Sequence, residues 1–538
     1  MNLQNAPSQK GSDTLMGTYL NPGNQGFRGI RNDIYVDKSM LIHLINGTID
    51  TPRRLTCVSR PRRFGKSFAA QMLCAYYDKT CDSSILFDDL AAAAYHKEDY
   101  RKYRNKFDVI YLDITNIMGE AGSEDITAFI RRKVTEELIQ AYPGLKADES
   151  FSTTLISAAE LSGSKFIAII DEWDAPIRET PAVQNQYLSF LRTLFKSSGT
   201  TARIFAAAYM TGILPIKKDG SQSAISDFWE YTMLCPMEFA EYAGFTEAEV
   251  QKLCKDHHRD FGKMKQWYDG YVLDHARSVY NPGSVIKAVR SNKFHSYWTE
   301  TSAAKSLMNY ISLDFDGMSA ALAKLLGGID IDIDTNGFAN DLTGLQNRDD
   351  VLTLLVHLGY LTYNEEDHKV RIPNEEIRLA FSKSIRNVKQ DDTIRRIQES
   401  EQLLYDTIHK NAARVASQIQ KIHMEESSIL YYNNEQSLRS VIKLAYFSYR
   451  DHYIKFEELP AGDGYADIVY LPKKTSPVPA LVIELKWNQS ARGAISQIRE
   501  NNYPSALSGY GGSILLVGIS YEKDGKQRHR HTCIIEEV

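Results

Sequence analysis

A lysine and a hydroxyl stand side by side at Lys66 and Ser67, closing the stretch "RPRRFGKS" that runs from Arg60 to Ser67. Gly65-Lys66-Ser67 is the end of a phosphate-binding loop of the Walker A form G-x-x-x-x-G-K-[ST], in which the lysine reaches the β- and γ-phosphates and the hydroxyl ligates Mg²⁺. Counting back from Gly65 puts Arg60 where the first glycine belongs, with Pro61 stiffening the turn after it. The same residues also fit a basic surface turn. A second pair, Asp171 and Glu172, ends the apolar run "KFIAIIDE". An acid at a strand end can hold Mg²⁺, directly or through water, and a glutamate beside it can orient and deprotonate an attacking water. "FDVIYLD" ends in a rival acid, Asp113, with no glutamate beside it; the alternative for Asp171 and Glu172 is a solvated strand end with a helix cap. A third set comprises Asp467 in "GDGYADIVYL" and Glu484 and Lys486 in "ALVIELKW". Residues two apart share a strand face, so Glu484 and Lys486 project together while Ile483 and Leu485 point the other way. Two acids on adjacent strands can hold Mg²⁺, and a lysine beside them can orient or deprotonate water for attack on phosphorus. A salt-bridged pair on a half-exposed strand fits as well.

The elements around these residues must supply the geometry. "RRLTCVS" reads as a buried strand, and Phe68, Met72, Leu73 and Tyr76 recur at helical spacing after the loop. Strand, turn and helix N-terminus together point backbone N–H groups at an anion. A strand over 109–112, helices over 126–141 and 187–195, the Asp171 strand and the strand "ARIFAAAYMTG" follow, an alternation that predicts a parallel sheet covered by helices on both faces. The last strand ends at Thr211, where a γ-phosphate sensor or an ordinary strand-end threonine would stand. Thr246 and Glu249 form a capping box, and Asn281 caps a helix with Pro282 in its first turn. Trp267, Tyr268 and Tyr271 read as core. "VLTLLVHLGYLTYNEEDHKVRIPNEEIRLAF" reads as helix, strand, acidic turn, strand, helix, which resembles a winged helix. Its turn acids, Glu365, Glu366 and Asp367, favour a structural role over DNA reading.

The sequence resembles bacterial and archaeal AAA-ATPase-like proteins that carry a C-terminal PD-(D/E)XK nuclease-like domain. The resemblance runs through "YVDKS" (35–39), "RPRRFGKS" (60–67), "IIDEWDAP" (169–176), "WYDGY" (267–271), "YNPGSV" (280–285), "GYLTY" (359–363) and "IPNEEIR" (372–378). It implies that R-P-R-R-F-G-K-S is the family's own form of the loop, so that Arg60, Pro61, Arg62, Arg63, Phe64, Gly65, Lys66, Ser67, Asp171 and Thr211 bind ATP and Glu172 is catalytic. It also makes Asp467, Glu484 and Lys486 the D…E-x-K signature of a nuclease, with Ser67, Asp171, Asp467 and Glu484 as Mg²⁺ ligands. Glu435 matches that fold's first-helix acid, although the helix dipole explains an acid in a first turn equally well. Gln497 and Tyr503 match the helix after the motif, with Gln497 the more ambiguous.

Length and composition set the frame. At 538 residues the chain exceeds one core, and 43% apolar and 24% charged residues are ordinary for a globular protein. No run approaches a membrane span, and the opening residues lack a basic n-region and an apolar h-region, so a cytoplasmic protein is expected. Six cysteines with no C-x-x-C pair argue for reduced thiols and against zinc. A net charge of −5 leaves any nucleic-acid contact to local basic surface. The resulting expectation is an α/β multidomain chain: a lead segment (1–50), a P-loop NTPase core with a parallel sheet (51–235), a helical lid (236–345), a winged-helix-like segment (346–395), a helical connector (396–428) and a restriction-endonuclease-like α/β domain (429–538). The expected function is ATP-dependent or ATP-regulated, Mg²⁺-dependent cleavage of nucleic acid, DNA or RNA, with ATP expected rather than GTP and homo-oligomerisation left open. The alternative is an ATP-driven switch whose nuclease-like domain binds nucleic acid or protein without cutting.

Overall fold

The computed structural model describes residues 17–538 apart from 96, 197, 217, 220–221, 224, 226, 275, 299–316, 337, 339–344, 387–390, 427–434, 447–448, 450–451, 462–463, 474–477, 502–511 and 525–527. The chain forms two compact units, Met1–Thr301 with Asp332–Ile377, and Ser302–Ile331 with Arg378–Val538.

Short apolar runs make the centre of the first unit. β1 (Leu55–Ser59), β2 (Asp108–Asp113), β3 (Phe166–Asp171), β4 (Phe205–Gly212) and β5 (Trp229–Tyr231) join in the order β2-β3-β4-β1-β5, every pairing parallel. Alternate residues feed two cores. Leu55, Ile110, Ile170 and Met210 lie in one core with residues of the helices Ile126–Ala141, Phe151–Ser162 and Gln184–Phe195. Val58, Val109, Ile169 and Tyr209 lie in the other with α1 (Lys66–Tyr77). Burial on both faces is why these strands read as continuous apolar runs and not as alternations. Each fully buried Ile or Phe contributes about 1.5–3 kcal/mol.

The expected alternation of elements is present, with two local differences. The residues "ARI" finish a helix, Ser198–Ile204, and the strand begins only at Phe205. Of the helical stripe, Met72, Leu73 and Tyr76 are buried, whereas Phe68 is 58% exposed. The strand order has a chemical consequence. Because β4 lies between β1 and β3, the end of β1 that leads into the loop, Thr211-Gly212 and Asp171 sit side by side at the carboxyl edge of the sheet, where open α/β sheets bind ligands.

Later segments of this unit meet the loop at that edge through Gly244, Asn281, Gly283 and Gly359. The capping box of Thr246 and Glu249 is formed, and Asn281 caps α2 (Pro282–Ser291) by accepting from the Ser284 N–H. Tyr268 and Tyr271 are fully buried. Helix Arg348–His357, the antiparallel strands Thr362–Asn364 and Lys369–Arg371, and a helix beginning at Glu375 follow the expected helix, strand, turn, strand, helix order.

The second unit is built on β6 (Tyr453–Ala461), β7 (Gly464–Pro472), β8 (Ala480–Trp487), β9 (Ile514–Asp524) and β10 (Arg528–Glu537), in that order, antiparallel except for the parallel β8–β9 pair. Ile468, Leu481, Ile483 and Leu485 form one core with residues of helices Asp391–Ile408 and Ala412–Glu426 and of α3 (Glu435–Ala445). Val469, Val482 and Leu516 form the other with Ile495 and Ile498 of α4 (Ala491–Glu500). All six cysteines are free thiols. Among the described residues no helix is long and apolar enough to cross a membrane.

Candidate functional site

The arginine in the glycine's place faces inward. Arg60 is fully buried, and its guanidinium donates to the carbonyls of Ser59 (2.9 Å), Tyr231 (2.9 Å) and Phe239 (3.2 Å), while its backbone N–H donates to Gly212 (2.9 Å). Burial pulls the guanidinium down to about 10, which leaves it charged at neutral pH. Arg60 therefore ties the end of β1 to β5 and the segment after it, its side chain being used by the fold and not turned towards a ligand.

The remainder of the loop is held in a socket to which several of the motifs that carry the family resemblance contribute, together with Gly244 and Tyr297. Asn281 Nδ2 donates to the Arg62 carbonyl (3.3 Å), the Gly283 N–H to the Arg63 carbonyl (3.2 Å), and the Gly244 N–H to the Phe64 carbonyl (3.1 Å). Arg63, at φ +68°, donates to the Tyr297 carbonyl (2.9 Å). The Phe64 ring meets Tyr271 edge-on at 5.1 Å, and the Tyr271 hydroxyl donates to the Gly359 carbonyl (2.7 Å). Gly359 has φ +84°, and a Cβ there would lie 2.7 Å from Pro61, so both its backbone and its neighbour demand glycine. Glu376, buried, accepts from Ser284 Oγ (2.9 Å) and from the N–H groups of Tyr297 (2.8 Å) and Trp298 (3.1 Å). Burial is the main reason its carboxyl is pushed up to about 7.

Lys66, Ser67, Asp171 and Glu172 converge. Lys66 is 5% exposed, donates to the Pro61 carbonyl (3.1 Å) and lies 3.4 Å from Glu172 Oε1. Burial pushes the Asp171 carboxyl up to about 6, against the opposing pull of the Ser67 hydroxyl and of the Lys66 charge. Glu172 sits at φ +51°, a conformation uncommon for a non-glycine residue and characteristic of constrained sites, and its other oxygen meets Arg178 at 2.8 Å. Arg178 is fixed by Asp174 (2.8 Å), whose buried carboxylate also accepts from the Leu214 N–H (2.9 Å). The Thr211 hydroxyl is buried without a hydrogen-bond partner, on the strand between the loop and Asp171. The rival Asp113 pairs in register with Asp171 but caps the following helix by accepting from the Asn116 N–H (3.0 Å).

A cavity of about 660 Å³ opens against this group, and Arg63, Gly65, Lys66, Ser67 and Glu172 are among the residues that line it. Phe68 also lines it, which accounts for its exposure, and the apolar walls include Phe27, Tyr35, Phe245 and Ile286. "YVDKS" thus supplies part of the wall, a role its sequence did not disclose. Arg63, Lys66 and the Ser67 hydroxyl offer donors for phosphates and the aromatic and aliphatic walls a surface for a base, and Asp33, Lys38 and Arg290 also line the space. Ser67 and Asp171 form an oxygen donor set suited to Mg²⁺. Asn105-Lys106-Phe107-Asp108 spells the guanine-reading tetrapeptide N-K-x-D, so the sequence itself lends no support to ATP over GTP. That stretch is occupied elsewhere: Asn105 donates to the Asp78 carbonyl (2.6 Å), and Asp108 accepts from Asn21 (2.8 Å) and Tyr142 (2.6 Å) and pairs with Lys79 (2.7 Å).

In the second unit the register aligns Asp467 with Glu484, one step beyond the pair Ile468–Ile483. Both are buried. Asp467 Oδ2 accepts from the Leu485 N–H (2.8 Å), and its other oxygen pairs with Arg439 of α3. Glu484 Oε1 lies 3.3 Å from Lys486 Nζ, while Oε2 is buried without a partner. Burial first, and the charge of Asp467 second, push the Glu484 carboxyl up to about 7. Lys486 also donates to Gln497 of α4. The structure thus brings together Asp467, Glu484, Lys486 and Gln497; Glu435 opens α3 but its side chain, like Tyr503, lies outside the described residues. Among the described residues no cluster of three or more His, Cys, Asp or Glu could hold a metal ion as arranged. The orphaned Glu484 oxygen fits a cation, whereas the Asp467 oxygens are both occupied. Sequence reasoning missed Arg439, although it stands four residues after Glu435 and hence on the same helix face.

Comparison with known proteins finds two family matches in the chain. Residues 22–221 match the AAA-ATPase-like family model, described as a predicted AAA-ATPase, and residues 433–531 match that of the PD-(D/E)XK nuclease superfamily. The chain therefore carries an AAA-ATPase-like domain and a C-terminal PD-(D/E)XK nuclease-superfamily domain. No curated protein matches it. Among solved structures, the Aeropyrum pernix ORC2 protein (ADPNP–ADP complexes) is similar at 11% identity and a TM-score of 0.30, over 67% of this chain and 98% of that one.

Proposed function

We propose that the protein binds and hydrolyses ATP in its first unit and cleaves nucleic acid in its second, under the control of the nucleotide, in the cytoplasm. The observation that carries this reading is the presence in one chain of two built acid–lysine groups, Lys66, Ser67, Asp171 and Glu172 in the first unit and Asp467, Glu484 and Lys486 in the second.

In the first, Lys66 exchanges the Glu172 carboxylate for the phosphates, so the ion pair at 3.4 Å is a resting partner of similar charge. Ser67 and Asp171 would hold Mg²⁺, which when bound neutralises charge on the phosphate oxygens. Glu172, released by Lys66, accepts the proton of the attacking water, with Arg178 fixing its orientation. Asn281 and Gly283, in the segment expected to form a lid, brace the loop. In the second, the Leu485 N–H fixes Asp467, Gln497 and Glu484 fix Lys486, and Lys486 orients the water that attacks the phosphodiester. Asp467 and Glu484 would hold Mg²⁺ there. Mg²⁺-dependent cleavage of plasmid, single-stranded DNA and RNA, abolished by Asp467→Ala, tests the reading; no cleavage of any of the three would remove it. The second reading, an ATP-driven switch that binds without cutting, draws on one observation, the Arg439 guanidinium that occupies Asp467.

A further inference from the structure

Glu458, Asp467 and Glu484 form a row across three adjacent strands. Glu458 lies between the pairs Glu457–Ile468 and Leu459–Ala466, hence opposite Asp467, and Asp467 in turn lies opposite Glu484. Glu458 is held at φ +51°, a conformation that a non-glycine residue adopts only under local constraint. The Arg439 guanidinium is wedged into this row: one nitrogen meets Glu458 at 2.7 Å and another meets the Asp467 oxygen that the Leu485 N–H leaves. Its Nε–H is buried with no hydrogen-bond partner. With all three acids ionised, Arg439 and Lys486 leave a single net negative charge, and Glu458 is the most exposed of the three at 67%. A divalent cation arriving here meets one free buried oxygen, on Glu484, and no free oxygen on Asp467.

We infer that Arg439 is a positioning residue that keeps cations off Asp467 until a nucleic-acid phosphate draws the guanidinium away, an inference that rests on the nuclease reading of the second unit. A guanidinium binds phosphate and carboxylate with the same planar fork, so the exchange needs no new charge and the idle Nε–H supplies a further donor to a phosphate oxygen. Leaving Asp467, Arg439 raises the local charge from one negative to two and exposes a second acid beside Glu484. The arrangement couples a productive site to the presence of substrate.

The test is Mn²⁺ binding to the nucleotide-free, full-length chain, read by electron paramagnetic resonance, with folding checked by circular dichroism. Arg439→Gln should bind Mn²⁺ at least tenfold more tightly than wild type, Arg439→Lys should fall between them, and adding Asp467→Asn should erase the gain. A phosphorothioate oligonucleotide should tighten Mn²⁺ binding by the wild type and leave Arg439→Gln unchanged. A merely structural arginine would weaken binding when removed, so equal or weaker affinity in folded Arg439→Gln and Arg439→Lys overturns the inference. In that event the nuclease reading stands if Asp467→Asn alone lowers Mn²⁺ binding, and falls with the inference if it does not. No oligonucleotide effect on the wild type overturns the release by substrate.

Discussion

Restoring the glycine that the loop pattern calls for should harm this protein. In Arg60→Gly the carbonyls of Ser59, Tyr231 and Phe239 lose their shared donor inside a fully buried pocket. A buried acceptor left unpaired costs about 1–3 kcal/mol, and a glycine in place of a side-chain-bearing residue adds about 0.5–1 kcal/mol through unfolded-state entropy. Water entering the space vacated by the side chain recovers part of this, so a net loss of about 3–5 kcal/mol is expected. That is a large share of the roughly 5–15 kcal/mol that holds a domain folded, and at ~2–4 °C per kcal/mol for a domain of this size it lowers the melting temperature by roughly 10 °C. Scanning calorimetry should show the loss in the transition that ATP raises, because ligand binding marks the unit that holds it. Nucleotide affinity should fall too, since the loop is displaced. An Arg60→Gly protein that melts with the wild type, or binds nucleotide more tightly, would refute the structural role of Arg60.

Three further outcomes follow from the same geometry. Lys66→Ala should weaken Mg-ATP binding by about 1.5–3 kcal/mol by calorimetry, the size of a charged phosphate contact; equal affinity would exclude Lys66 from the site. Glu172→Gln should keep that affinity while hydrolysis falls roughly 10²–10⁴-fold, because the amide fills the space without accepting a proton; an unchanged rate would leave Asp171 as a metal ligand only. Glu376 has a carboxyl raised from the usual 4.5 to about 7, so its contribution to stability is complete below 4.5 and is lost as the pH rises through 7. Glu376→Gln should therefore gain on the wild type across that window, by up to about 3 kcal/mol at ~1.4 kcal/mol per pH unit, in denaturation curves at pH 4.5 and pH 8. A difference between the two proteins that does not vary with pH would show that Glu376 is ionised without penalty.

What could be read from the sequence were groups whose geometry is set locally. Gly65-Lys66-Ser67 needs only a strand before and a helix after, and Glu484 and Lys486 share a face because a strand repeats every two residues. Strand order was not legible, and it is strand order that sets Thr211 between the loop and Asp171. The partners of the loop were hidden for the same reason: Arg60 meets Phe239, Arg63 meets Tyr297, and Pro61 abuts Gly359, contacts that only the finished fold creates. The motifs containing Tyr271, Gly283 and Glu376 were visible, but nothing in their composition says that they grip a phosphate loop. Arg439 was missed because its role comes from how α3 lies on β6 and β7, whereas its place in α3 looks like any solvated helix face.

The central claim is that nucleotide bound in the first unit controls cleavage in the second. Shifting a population from 1:99 to 99:1 takes about 5.5 kcal/mol of preference for one state, so partial control is expected. The direct measurement is the Mg²⁺-dependent cleavage rate of the full-length protein with a non-hydrolysable ATP analogue, with ADP and with no nucleotide, alongside Lys66→Ala. A several-fold difference between analogue and ADP that vanishes in Lys66→Ala is the predicted result. Cleavage at one rate in all three conditions would contradict the claim, leaving two sites that are merely tethered.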